Sequence, residues 1–75
     1  MTLFEGNPNQ SYKVCAIHTQ DMALKNRLFS MGISKDAKIT IDCFTPNKAT
    51  LAVQVNQTKI ALRNTEAQNI IVEAI

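Results

Sequence analysis

Tryptophan is absent from this chain of 75 residues, and only four aromatic side chains occur: Phe4, Tyr12, Phe29 and Phe44. Val, Ile, Leu and Ala must therefore fill the core, which leaves little room for an enclosed small-molecule cavity. Glycine is confined to Gly6 and Gly32, so no Gly-rich phosphate loop exists. Histidine occurs once, at His18, and paired carboxylates at a spacing useful for acid–base work are missing. No apolar run approaches the roughly 20 residues of a membrane span. The amino terminus shows no basic stretch followed by an apolar one, which argues against a secretory leader. With only Cys15 and Cys43, these absences predict free thiols in a reducing, cytoplasmic setting.

What remains is an apolar content of 45%, normal for a packed globule and too high for disorder. The length predicts a single domain over residues 1–75. A domain of this size buries only roughly 60% of the surface that its unfolded chain exposes, so its stability margin is narrow. The net charge is +2, but Lys13, Lys25, Arg27, Lys35, Lys38, Lys48, Lys59 and Arg63 form no run. Nucleic-acid binders cluster such charges to neutralise several phosphates at once, so no nucleic-acid partner is expected.

The first ten residues, with Gly6 and Pro8 among Asn and Gln, read as a loose leading segment. Ser11 to His18 is rich in β-formers and predicts the first strand. Leu24, Leu28 and Met31 then repeat at helical spacing behind Asp21, a ready N-cap, and Gly32 stands where a left-handed residue closes a helix. That predicts one short helix over about 21–31. From Ala37 the period becomes two, with Ile39, Ile41 and Cys43 on one face, which places Cys43 in the core. Asn56-Gln57 predicts a two-residue hairpin loop that pairs Val55 with Thr58, Val53 with Ile60, and Leu51 with Leu62. Asn64, as a cap, predicts a helical turn over about 64–68, and Ile70–Ile75 a last strand. Five short strands around one small helix predict a mainly β, partly open barrel.

Few residues carry chemistry. Cys15 and His18 have the Cys-x-x-His spacing, yet a zinc site needs four ligands, and a separation of three puts this pair on opposite faces of a regular strand. No metal-ligating set is predicted; His18, Cys15 and Glu66 are the available candidates. A Cys–His nucleophile would need an orienting third group and a cleft, so no catalytic residue and no enzyme activity are expected. Phe29 lies one position off the helical core stripe, and Met22 lies near the helix start. They either extend the core or form an exposed apolar patch suited to a partner.

The segment Arg27-Leu-Phe-Ser-Met-Gly-Ile33 resembles the FeoA family of small cytoplasmic accessory proteins of bacterial ferrous iron transport. Ile60-Ala-Leu-Arg63, Glu66-Ala67 and Ile70-x-Val72 are similar to that family's closing signature, and the resemblance runs from about Tyr12 to Glu73. Two departures stand out. Lys35-Asp36 replaces the frequent Pro-Gly, and Pro46-Asn47-Lys48-Ala49-Thr50 keeps only the first Pro of the usual loop. The resemblance implies an SH3-like barrel. It also implies protein–protein contact with the membrane permease FeoB, whose cytosolic part is a GTPase, with Met22, Phe29 and Arg63 as candidate contact residues. Arg63 either pairs with Glu66 or caps the short turn. No cofactor is expected, ferrous iron being the one candidate. The alternative is a metal-sensing module like the terminal domains of iron- or manganese-dependent repressors. Self-association stays open.

Overall fold

Alternation with a two-residue break is the strongest pattern in the sequence, and it folds as that pattern dictates. In a computed structural model describing all 75 residues, β3 (Thr50–Val55) and β4 (Thr58–Arg63) form an antiparallel hairpin in the predicted register. Asn56 and Gln57 both take positive φ, 51° and 68°, as a type I′ turn requires. Leu51, Val53, Val55 and Leu62 consequently all point inward and are buried.

The hairpin is one end of a five-stranded antiparallel sheet with the order β4-β3-β2-β1-β5, where β1 is Ser11–Ile17, β2 is Lys38–Phe44 and β5 is Ile70–Ala74. The outermost strands β4 and β5 do not pair with each other, so the sheet rolls into a partly open, SH3-like barrel. Helix α1 (Met22–Ser30) lies between β1 and β2, and a single turn α2 (Asn64–Ala67) links β4 to β5. One core of Val, Ile and Leu, with Tyr12 and Ala67, fills the interior.

Three expectations are corrected. The leading segment is not loose. Leu3 is completely buried within a 3-10 turn, Thr2 bridges to Ile71, and the Val72 N–H donates to the Met1 carbonyl at 2.8 Å. Gly6 permits this docking, because a Cβ there would lie 2.6 Å from Ile41 Cδ1 and 2.9 Å from Tyr12 Cε2. Cys43 is exposed rather than in the core, because the β2–β3 register shifts between Ile41 and Cys43 and reverses the alternation. Asn64 is not the cap of the short turn. Arg63 holds that position, and its backbone N–H donates to Glu66 Oε1 at 2.9 Å.

Candidate functional site

Helix α1 is short, and its two ends are fixed locally. Asp21 caps it by accepting the Leu24 N–H at 3.1 Å. At the other end Gly32 adopts φ 88°, the Gly32 N–H reaches the Phe29 carbonyl, and the Ile33 N–H reaches the Leu28 carbonyl, each at 3.0 Å. This is a Schellman closure, and it brings Leu28 and Ile33 together in the core.

Leu28 is the only fully buried residue of α1, while Leu24 and Met31 pack half-buried against the core. The opposite side of the helix follows from the 3.6-residue turn. Met22 and Phe29, seven positions apart, share it and are 60% and 45% exposed. Neither extends the core. The Lys25 ammonium stands 5.9 Å from the centre of the Phe29 ring and borders the apolar pair with positive charge.

On another flank of α1 a shallow groove of about 350 Å³ runs against the β4–α2 corner, lined by Leu24, Arg27, Arg63, Thr65 and Glu66 among others. The Glu66 side chain is only 7% exposed. A carboxylate at that depth needs compensation, and it has two sources: Arg27 Nη1 bonds Oε2, and the Arg63 backbone N–H bonds Oε1. The partner of Glu66 across the groove is therefore Arg27, and Arg63 contributes its main chain only. The Arg63 guanidinium makes no hydrogen bond or ion pair within the chain and is exposed. Most of the N–H groups of the groove's two guanidinium forks remain free, because only one of Arg27's is engaged, and the Asp21 carboxylate that caps α1 lines the groove with them.

The other candidates lie apart. His18 is exposed just beyond β1, in an open groove with Thr19, Gln20 and Asn69, where its backbone N–H donates to the Asn69 carbonyl at 2.7 Å. Cys15 is half-buried at a register shift of β1 against β5, its thiol 3.9 Å from the Lys13 carbonyl. No three His, Cys, Asp or Glu side chains converge anywhere in the chain. Arg27 is the residue that sequence reasoning left without a role. Its partner lies 39 positions away, beyond any local pattern.

Arg27 opens the helix motif and Glu66 lies in the closing signature, so the two sequence motifs are joined by one ion pair. A family model described as the FeoA domain matches residues 1–74. The chain belongs to the FeoA family. It is 37% identical over 73 residues to a Helicobacter pylori (strain J99) relative named as Fe(2+) transport protein A, covering 97% of this chain and 94% of that protein. Among solved structures it is similar to Stenotrophomonas maltophilia FeoA, described as a prokaryotic SH3-domain protein. There the TM-score is 0.85 at 30% identity, over 97% of this chain and 89% of that one. A manganese-dependent transcriptional repressor shares the fold over 36% of its own length and all of this chain, with a TM-score of 0.91 at 20% identity. The S. maltophilia protein was crystallised with zinc. In the present FeoA-family chain Glu66 is bonded to Arg27 and Arg63, and Cys15 and His18 gather no further ligands. No helix of the chain is long and apolar enough to cross a membrane.

Proposed function

We propose that this FeoA-family protein is a cytoplasmic accessory of ferrous iron transport, and that it acts through contact with the cytosolic GTPase part of a FeoB-type permease rather than through catalysis. The family and the name of the H. pylori relative support the transport role. The observation that carries the contact reading is the outward pair Met22 and Phe29. The fold does not use it, nothing in the chain covers it, and its rim is positive. Apolar side chains of this kind, flexible Met beside an aromatic, serve as anchors at protein interfaces. Ferrous iron enters this reading as cargo of the permease.

Calorimetric titration of the purified protein with the cytosolic domain of its cognate permease, with and without guanine nucleotide and ferrous iron, tests the proposal. Saturable binding is expected. Phe29→Ala and Met22→Ala are each expected to cost ~1–2 kcal/mol of it, as truncation of interface anchors does. Absence of association in every nucleotide state, together with unchanged iron uptake in a deletion strain, would sink it.

A further inference from the structure

The two margins of the sheet are treated differently. The margin at β5 is covered by the chain itself: Thr2 bridges Ile71, and the Val72 N–H is bonded by the Met1 carbonyl. The margin at β4 is open. In a hairpin closed by a type I′ turn the flanking pair exchanges both backbone bonds, so here the bonded pairs are Val55–Thr58, Val53–Ile60 and Leu51–Leu62. The backbone groups of Lys59, Ala61 and Arg63 therefore point away from β3. The Arg63 N–H confirms that direction by donating to Glu66 Oε1, which ends the open stretch. Both groups of Lys59 and both of Ala61 have no partner outside β4.

The side chains along this margin define what fits it. Lys59, Ala61 and Arg63 are all exposed on one face, giving positive, small and positive at alternate positions. On the other face Ile60 is half-buried and Leu62 buried. A second copy is a poor match. Antiparallel β4–β4 pairing centred on Ala61 would set Lys59 against Arg63 of the other copy, twice, and like charges directly opposite are destabilising. We infer that the β4 margin receives an extended segment of a partner protein by strand addition, with acidic residues at positions i and i+4 opposite Arg63 and Lys59, a small residue between them, and apolar residues at i+1 and i+3 opposite Leu62 and Ile60. Main-chain bonds to Lys59 and Ala61 supply affinity, and the alternate side chains supply selectivity. The carboxylate opposite Lys59 competes only with Asp42, whose present contact with that ammonium is long, at 3.9 Å. The one opposite Arg63 meets a guanidinium with no partner, at the end of the groove that Arg27 and Glu66 line. This inference rests on the protein-contact reading above and adds a second surface to it.

The test is an NMR titration of isotope-labelled protein with the blocked peptide acetyl-Thr-Glu-Val-Ala-Val-Glu-Thr-amide and, as control, its counterpart with Lys in place of Glu. Expected are shifts and slowed amide exchange confined to Lys59, Ala61 and their neighbours, for the acidic peptide only. Ala61→Pro removes an N–H that points off the sheet and leaves the ladder to β3 intact, as prolines at sheet margins do. It is expected to weaken peptide binding roughly tenfold. Charge reversal at Lys59 or Arg63 is expected to weaken it roughly 2- to 5-fold each at low salt, and keeps the test decisive should the proline variant misfold. No binding, binding mapped elsewhere, binding by both peptides alike, or β4 shifts that follow protein concentration without peptide would each overturn the inference. The same variants titrated with the permease domain separate the two readings. Binding that is lost with Phe29→Ala but untouched by Ala61→Pro and by both charge reversals refutes strand addition alone.

Discussion

Glu66 is the one charged side chain in the interior, and removing it exposes what it holds. In Glu66→Ala the Arg63 N–H, now bonded to a carboxylate at 2.9 Å, loses its acceptor. A hydrogen bond to a charged group contributes about 1.5–3 kcal/mol. The ion pair with Arg27 adds less, because the Arg27 side chain is 53% exposed and solvent screens it, so ~0.2–1 kcal/mol is a fair share. The expected loss is ~2–4 kcal/mol against a total of about 4–11 kcal/mol for a domain of this size. At roughly 4–8 °C per kcal/mol, thermal unfolding followed by circular dichroism at neutral pH should show a midpoint lower by about 8–32 °C. Glu66→Gln keeps an acceptor for Arg63 and loses only the charge, so it should fall by about 1 kcal/mol. Arg27→Ala, which leaves the carboxylate bonded to Arg63 alone, should fall by ~1–2 kcal/mol. A cycle built from Arg27→Ala, Glu66→Ala and the double variant should return a coupling near ~1 kcal/mol. Equal melting of Glu66→Ala and wild type, or equal losses in Glu66→Ala and Glu66→Gln, would refute this division of labour.

Gly32→Ala should cost ~1–2 kcal/mol, since φ 88° is a left-handed conformation and the added Cβ would stand 3.1 Å from Asn56 Nδ2. The urea midpoint should drop with unchanged slope, and an unchanged midpoint would mean that the Schellman closure is not needed. Glu5 accepts the Thr2 N–H at 2.7 Å, and that bond holds its carboxyl below the ordinary value of 4.5. Its stabilisation is therefore in place above about pH 4.5 and lost as the pH falls through the lowered value. Glu5→Gln should be less stable than wild type near neutrality, with the two stability curves converging in acid; parallel curves would contradict it.

The hairpin was legible because its two strands are local, strictly alternating and joined by two residues, so a single register satisfies both. The ends of α1 were legible for the same reason, since Asp21 and Gly32 act within one turn of the helix. Cys43 was misplaced because a bulge costs one residue of phase and leaves no mark in a polar–apolar string. Leu3 was overlooked because the Gly, Pro and Asn residues around it signal turns, while the packing of Gly6 on Tyr12 and Ile41 is tertiary. Of the candidate contact residues, the spacing places Met22 and Phe29 on one side of α1, but only the assembled barrel shows that nothing in the chain covers that side. The pairing of Arg27 with Glu66 joins residues from opposite halves of the chain. No window of a single sequence contains both.

The bridge from Thr2 to Ile71, with the Val72 N–H on the Met1 carbonyl, has a consequence for synthesis. On a ribosome residues 1–3 emerge well before residues 70–72, yet their binding place does not exist until those have also cleared the exit. The β2–β3–β4 meander can close while the chain is still growing, because its contacts are between neighbours in sequence. Strand β1 can then join β2, but Leu3 stays solvent-exposed and the barrel unfinished until Ile71 and Val72 arrive. Closure of loops this long is slow relative to hairpin formation. The core is therefore completed only once residues 70–72 are in place, in a step that seats residues 1–3 against them.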